Sequence, residues 1–112
     1  MPGCLFCKII RKELKSNIEY EDETLIAIHD INPQAPVHLL FIPKKHVAQI
    51  STMSSEDSVL AGRLLYKVKE IAEKRGWQHY RLVFNNGAEA GQSVFHIHLH
   101  LLSGRRMQWP PG

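Results

Sequence analysis

The stretch His96-Ile97-His98-Leu99-His100-Leu101-Leu102 constrains this chain more than any other. Three histidines alternate with aliphatic residues. In an extended strand, side chains at i, i+2 and i+4 share one face. The imidazoles then point one way, and Ile97, Leu99 and Leu101 point the other. The aliphatic face suits a hydrophobic core. The histidine face asks for a function, because each buried ring needs polar partners of its own. A lone histidine is usually a hydrogen-bonded core residue; three in register are harder to hide.

A chain of 112 residues, 44% of them hydrophobic, is expected to form one domain over residues 1–112 with one core. No apolar run reaches membrane-spanning length. Met1-Pro2-Gly3-Cys4-Leu5-Phe6 lacks the pattern of a secretory signal, so a soluble, cytoplasmic protein with no membrane partner is expected. The net charge of +3 suits an anionic small molecule. It is too modest for a nucleic-acid partner: the basic residues are scattered, with short clusters only at Lys44-Lys45 and Arg105-Arg106. Cys4 and Cys7 form a C-x-x-C pair, which in a cytosolic chain reads as metal or redox chemistry.

Cys4 to Lys12 reads as a short amphipathic helix with Leu5, Phe6, Ile9 and Ile10 as its stripe. Ile18 to Glu21 and Thr24 to His29 read as strands joined by a tight turn at Asp22-Glu23. Asp30 to Pro36 is a loop, and Val37 to Ile42 a central strand ended by Pro43. A long helix follows. Ser54 and Asp57 have capping-box spacing; Leu60, Leu64, Val68 and Ile71 recur with helical period; Val59, Leu65 and Ala72 widen the stripe; Gly76 closes the helix. That stripe is core, or core plus a subunit interface. Tyr80 to Asn85 is a strand, Asn85 to Ser93 a glycine-bearing loop, and Val94 to Leu102 the histidine strand. Residues 103–112 show no period and form a tail. Strands with two segregated helices indicate an α+β fold.

Two chemistries fit the histidine face. H-x-H with a third histidine can bind a metal, and an open fourth position makes a hydrolase. Alternatively, one neutral imidazole is a nucleophile while the others handle protons and charge. Gly91 to Ser93 has the makings of an anion cradle, with backbone N–H groups and a hydroxyl directly before the strand. That placement favours phosphate chemistry. Asp30 can take ribose hydroxyls or cap a turn. Phe6, Ile9, Ile28 and Ile31 can form a purine slot or plain core.

The motif His96-Ile97-His98-Leu99-His100-Leu101-Leu102 resembles the signature of the histidine triad (HIT) superfamily. The likeness extends through Lys8-Ile9-Ile10, His29-Asp30-Ile31, Gln34-Ala35-Pro36-Val37-His38, Ile42-Pro43-Lys44-Lys45-His46 and Ala90-Gly91-Gln92-Ser93. The ending, Gly104-Arg105-Arg106-Met107-Gln108-Trp109-Pro110-Pro111-Gly112, resembles the Hint branch. The resemblance implies a HIT-like antiparallel sheet of about five strands with one long and one short helix. It also implies a homodimer whose sheets join across the interface. The implied activity is that of a purine nucleoside phosphoramidase, which hydrolyses adenosine or guanosine 5′-monophosphoramidates through a nucleotidyl-histidine. Alternatives are a dinucleoside polyphosphate hydrolase and a nucleotide-binding module with incidental catalysis.

Carried over by this resemblance, His98 is the nucleophile, with His100, His38 and His96 completing the catalytic set. Asn85, Gly91, Gln92 and Ser93 hold phosphate and ribose, and Asp30 takes the ribose hydroxyls. Phe6, Ile9, Ile28, His29 and Ile31 line the base pocket. Trp109, in the tail, lies near the partner subunit's site. Catalysis requires no cofactor, and coupled imidazoles give a bell-shaped rate profile. Relatives with Cys-x-x-Cys near the N-terminus can hold a structural zinc, here on Cys4, Cys7, His46 and His96. The competing reading of the cysteines is two reduced thiols.

Overall fold

The computed structural model describes residues 3–112; Met1 and Pro2, part of the N-terminal stretch read above, lie outside the described residues. Helix α1 spans Leu5–Ile10, strands β1 Ile18–Glu21, β2 Leu25–His29 and β3 Val37–Pro43, helix α2 Asp57–Arg75, and strands β4 Tyr80–Val83 and β5 Leu99–Ser103. The strands form one antiparallel sheet in the order β1-β2-β3-β5-β4. No helix among the described residues is long and apolar enough to cross a membrane.

Strand alternation assigns the two faces. Leu25, Ala27, Leu39, Phe41, Leu99 and Leu101 point to α2 and pack against Leu64, Val68 and Ile71. Ile26, Ile28, Leu40 and Ile42 point the other way and pack against Phe6 and Ile9 of α1. Leu64 is fully buried, whereas Val59, Leu65 and Tyr66 on the same helix remain exposed. α2 closes as expected: Gly76 has φ +77, and the Trp77 N–H reaches Ala72 O in a Schellman turn. Its start differs from the expected reciprocal box. The Asp57 carboxylate accepts from the Ser54 N–H at 3.0 Å and from Lys45 Nζ at 2.6 Å, and the Ser54 hydroxyl donates to it rather than capping the Asp57 N–H. The Asp22 carboxylate accepts from the Thr24 and Leu25 N–H groups and so shapes the β1–β2 turn.

The histidine strand is shorter than its sequence pattern. Residues 94–98 lie outside the ladder, and pairing with β3 begins at Leu99, opposite Phe41. β3 ends at Pro43, which has no N–H to offer. The Ile97 N–H turns instead to Val47 O at 2.8 Å. At the other end of β5, Gly104 has φ +96, and a Cβ there would come within 2.9 Å of the Pro36 side chain. Gly104→Ala is therefore expected to cost about 1–3 kcal/mol, the scale for a residue forced into a disfavoured backbone region. The urea-unfolding midpoint checks it.

Candidate functional site

The five residues from His96 to His100 feed two clusters. His98 and His100 border a cleft of about 410 Å³ on the α1 side of the sheet. Leu5, Phe6 and Ile9 of α1 form one wall. Ile28, His29, Asp30 and Ile31, at and just beyond the end of β2, form another, with Leu40 between them and the histidines. Ser93 and Val94 sit at the histidine end, and Leu14, Lys15 and Ser16 at the rim.

Hydrogen bonds fix each ring's proton. His98 Nδ1 lies 2.8 Å from the His96 carbonyl oxygen and donates to it. The proton is therefore on Nδ1, and Nε2 keeps its lone pair. His38 Nδ1 accepts from the Gln34 N–H at 3.0 Å, so His38 is protonated on Nε2. That N–H donates to His100 Nδ1 at 2.9 Å, which leaves His100 with an Nε2–H. The chain from Gln34 through His38 thus presents a donor on His100 beside the lone pair on His98; the two rings are 4.9 Å apart. Asp30 Oδ2 stands 3.5 Å from His38 Nε2.

Burial keeps these rings neutral. It lowers the pKa of His98 and of His38, against the pull of the His96 carbonyl and of Asp30 respectively. His100 is pushed down to about 4 by burial, then by neighbouring His98 and His38. A neutral imidazole with one free lone pair is a nucleophile at pH 7. A neutral neighbour with an N–H can stabilise charge developing on a phosphoryl oxygen.

The second cluster is built around His96, which is completely buried. Its Nε2–H donates to Pro43 O at 2.7 Å, so its Nδ1 lone pair faces Cys4 Sγ at 3.4 Å, Cys7 Sγ at 3.6 Å and His46 Nδ1 at 3.1 Å. Cys7 Sγ is 3.3 Å from His46 Nδ1. Zinc bonds of about 2.3 Å to sulfur and 2.0–2.1 Å to nitrogen give tetrahedral edges of roughly 3.6 Å for S···N and 3.3 Å for N···N. The four donors fit that cage, and the Pro43 carbonyl supplies the outer hydrogen bond that orients a ligating histidine. Burial lowers the pKa of His96 to about 4, lowers that of His46 and raises that of the Cys7 thiol.

The other expected residues divide. Phe6, Ile9 and Ile28 are buried and also line the cleft. Ile31 lines it while 99% exposed, an apolar surface with nothing yet against it. His29 lines the rim, held by Glu19 at 3.0 Å. Of the two roles expected for Asp30, the turn cap is present, with Oδ1 accepting from the Asn32 N–H, while Oδ2 faces His38 at the border of the cleft. Of the two roles expected for His96, the ring stands with the second cluster as the metal reading has it and not at the cleft, where only its carbonyl takes part, by holding His98. Gln92 is corrected. Its side chain, on a residue 3% exposed, accepts from the Gly87 N–H and donates to Ala48 O and Val94 O, so it shapes the loop instead of contacting a ligand. The N–H groups of Gly91 and Gln92 close onto Ala88 and Gly87, which removes them from the expected anion cradle. Gly91, at φ +102, packs against Asn85, and Asn85 does not itself border the cleft. Ser93 does. Trp109, 81% exposed, stands near Arg81 and away from this chain's own cleft. Gln34 and Pro43, whose backbone groups set the two key tautomers, carried no signal as site residues beyond adjoining a histidine strand.

The family model described as "Scavenger mRNA decapping enzyme C-term binding" matches residues 3–109. An HIT-like protein of Synechocystis is 55% identical over 109 residues, covering 96% of each chain. Among solved structures, an HIT family hydrolase from Legionella pneumophila superposes with a TM-score of 0.95 at 50% identity, covering 98% of this chain and all of that one. A zinc-bound histidine triad family protein from Mycobacterium smegmatis superposes with a TM-score of 0.80 at 30% identity, covering 94% of this chain and 77% of that one.

Proposed function

The chain belongs to the histidine triad superfamily, and on that premise we propose that it is a purine nucleoside phosphoramidase of the Hint branch. The observation that carries this reading is the proton pattern of the triad. His98 offers a lone pair at the floor of an apolar cleft, and His100 offers an N–H beside it.

His98 Nε2 attacks phosphorus, and the P–N bond to the leaving amine breaks. The bonding pair goes to that nitrogen, which enters protonated from solvent and so departs as the neutral amine. His100 Nε2–H stabilises the charge on the phosphoryl oxygens. Water then attacks phosphorus, the bond to Nε2 breaks with its pair returning to the ring, the water's proton goes to solvent, and the nucleoside monophosphate leaves. Asp30 holds the ribose, Phe6, Ile9, Ile28 and Ile31 enclose the purine, and Ser93 stands by the leaving group. Dividing one displacement into two is what a nucleophilic side chain contributes.

Cys4, Cys7, His46 and His96 would hold zinc, and the zinc-bound Mycobacterium smegmatis relative supports that assignment. Four protein ligands close a tetrahedral site, so an ion there would cross-link the fold rather than bind substrate. A homodimer completes the reading. β4 is an edge strand, and Val59, Leu65 and Tyr66 of α2 are exposed. A hollow of about 1050 Å³ along β4 and the tail leaves room for a second copy, towards whose site Trp109 would reach.

The test is release of adenosine 5′-monophosphate and amine from adenosine 5′-monophosphoramidate, with mass-spectrometric capture of a nucleotidyl-His98 protein. Saturated turnover is expected to survive chelator. Faster hydrolysis of a dinucleoside polyphosphate would move the assignment to that class, and no turnover of either would leave a binding module. The rate has a predicted acid limb. His38 and His100 must be neutral for the Gln34–His38–His100 relay, and burial holds their pKa values below the ordinary 6.5. Activity is therefore retained as pH falls past 6.5 and is lost only as it passes through the lowered values. A pH profile of kcat checks this; a midpoint at or above 6.5 contradicts it.

A further inference from the structure

His96 belongs to both clusters at once. Its Nδ1 faces Cys4, Cys7 and His46, and its carbonyl oxygen holds His98. Helix α1 is shared in the same way. Cys4 caps it and Cys7 lies within it, while Phe6 and Ile9 from the same six residues form the cleft wall. The Phe6 ring stands edge-on to both histidines, 6.0 Å from His96 and 4.9 Å from His98. A helix this short cannot hold itself, since isolated helices below ~12 residues are marginal in water. The position of the wall is set by what α1 is fastened to.

We propose that a divalent, thiophilic metal ion on Cys4, Cys7, His46 and His96 tightens nucleotide binding in the neighbouring cleft, with Cys4 and Cys7 as positioning residues for the Phe6–Ile9 wall. This rests on the proposed function, because it needs a nucleotide in the cleft. Apart from bonds to the ion, what fastens α1 at this end is packing of Phe6 and Ile9 against the sheet. Without the ion, a nucleotide must order the wall as it binds. The ion orders it beforehand, so the nucleotide binds more tightly. Linkage makes the effect reciprocal: the nucleotide must tighten metal binding by the same factor.

The experiment measures adenosine 5′-monophosphate binding to the full chain by calorimetry, zinc-loaded and chelator-stripped. Zinc affinity is then measured by competition with a chromophoric chelator, with and without saturating nucleotide. A change of about tenfold is expected in both directions, within the usual range of coupled sites. Both affinities compare loaded with stripped protein, so circular dichroism of the stripped form checks that it is folded, and a wall variant separates local coupling from a gain in global stability. Phe6→Ala keeps all four ligands and should still bind zinc, but its zinc affinity should no longer respond to nucleotide. Zinc bound with nucleotide affinity unchanged within about twofold overturns the coupling and leaves the proposed function standing. Failure to bind zinc overturns it too. Failure of both forms to bind nucleotide overturns the coupling and the proposed function together.

Discussion

His98→Ala is expected to lower phosphoramidate turnover by at least about a thousandfold, the scale on which removing a catalytic nucleophile acts. The ring does two things that alanine cannot. In the proposed mechanism its Nε2 supplies the bond-forming lone pair, and its Nδ1–H donates to the carbonyl of His96. His98→Asn is the informative companion: its amide can donate to that carbonyl, but it has no nucleophilic nitrogen. Nucleotide affinity should persist in the asparagine variant while turnover and the captured nucleotidyl-protein vanish. Initial rates at saturating substrate, with calorimetry of the product, separate the two effects. If the alanine variant kept even a tenth of wild-type turnover, phosphorus would be attacked by something other than His98.

His38→Ala is expected to lower kcat by about a hundredfold or more, the usual contribution of a positioned acid–base group. His38 is buried and does not border the cleft, so it acts through His100. Removing it leaves the Gln34 N–H without its acceptor and His100 Nδ1 without its donor. Nothing then selects the His100 tautomer that points a proton at the substrate. His38→Ala with His100→Ala should consequently lose little more than the worse single variant, because residues acting as one unit are not additive. Nucleotide affinity should move far less than kcat in each. A double variant whose losses multiplied would show that the two rings work independently.

Periodicity located the sheet and both helices, because burial of alternate or helical faces is written into residue order. It misjudged ends where a partner decides. The run from Val94 to Leu102 reads as one strand, but pairing waits until Leu99 because Pro43, opposite Ile97 in the register, has no N–H and the Ile97 N–H turns to Val47 O. Tyr80 to Asn85 likewise shortens to Tyr80–Val83. At the site, residue types narrowed the candidate chemistry, while the division of labour required distances. No spacing rule says that His96 turns its ring to two cysteines and lends only its carbonyl to His98. Nor does Gln92 announce that three hydrogen bonds will consume its amide, or that the Gly91 and Gln92 N–H groups will close turns. Ile31 shows the converse. Its residue type allowed either a purine slot or plain core, and the fold leaves it open at the cleft.

The sheet order has a consequence for how the molecule is made. β1, β2 and β3 are sequential neighbours and can pair as they emerge, but β5 follows β4 in the chain and lies between β3 and β4. Until β5 inserts, those two strands have no shared partner, and His98 and His100 have no place beside His38. Chains fold from the N-terminus as they are synthesised, and pairings distant in sequence form late. A growing chain therefore carries α1, the meander and α2 before the histidine cluster exists, and His98 and His100 reach His38 only with the strand that closes the sheet.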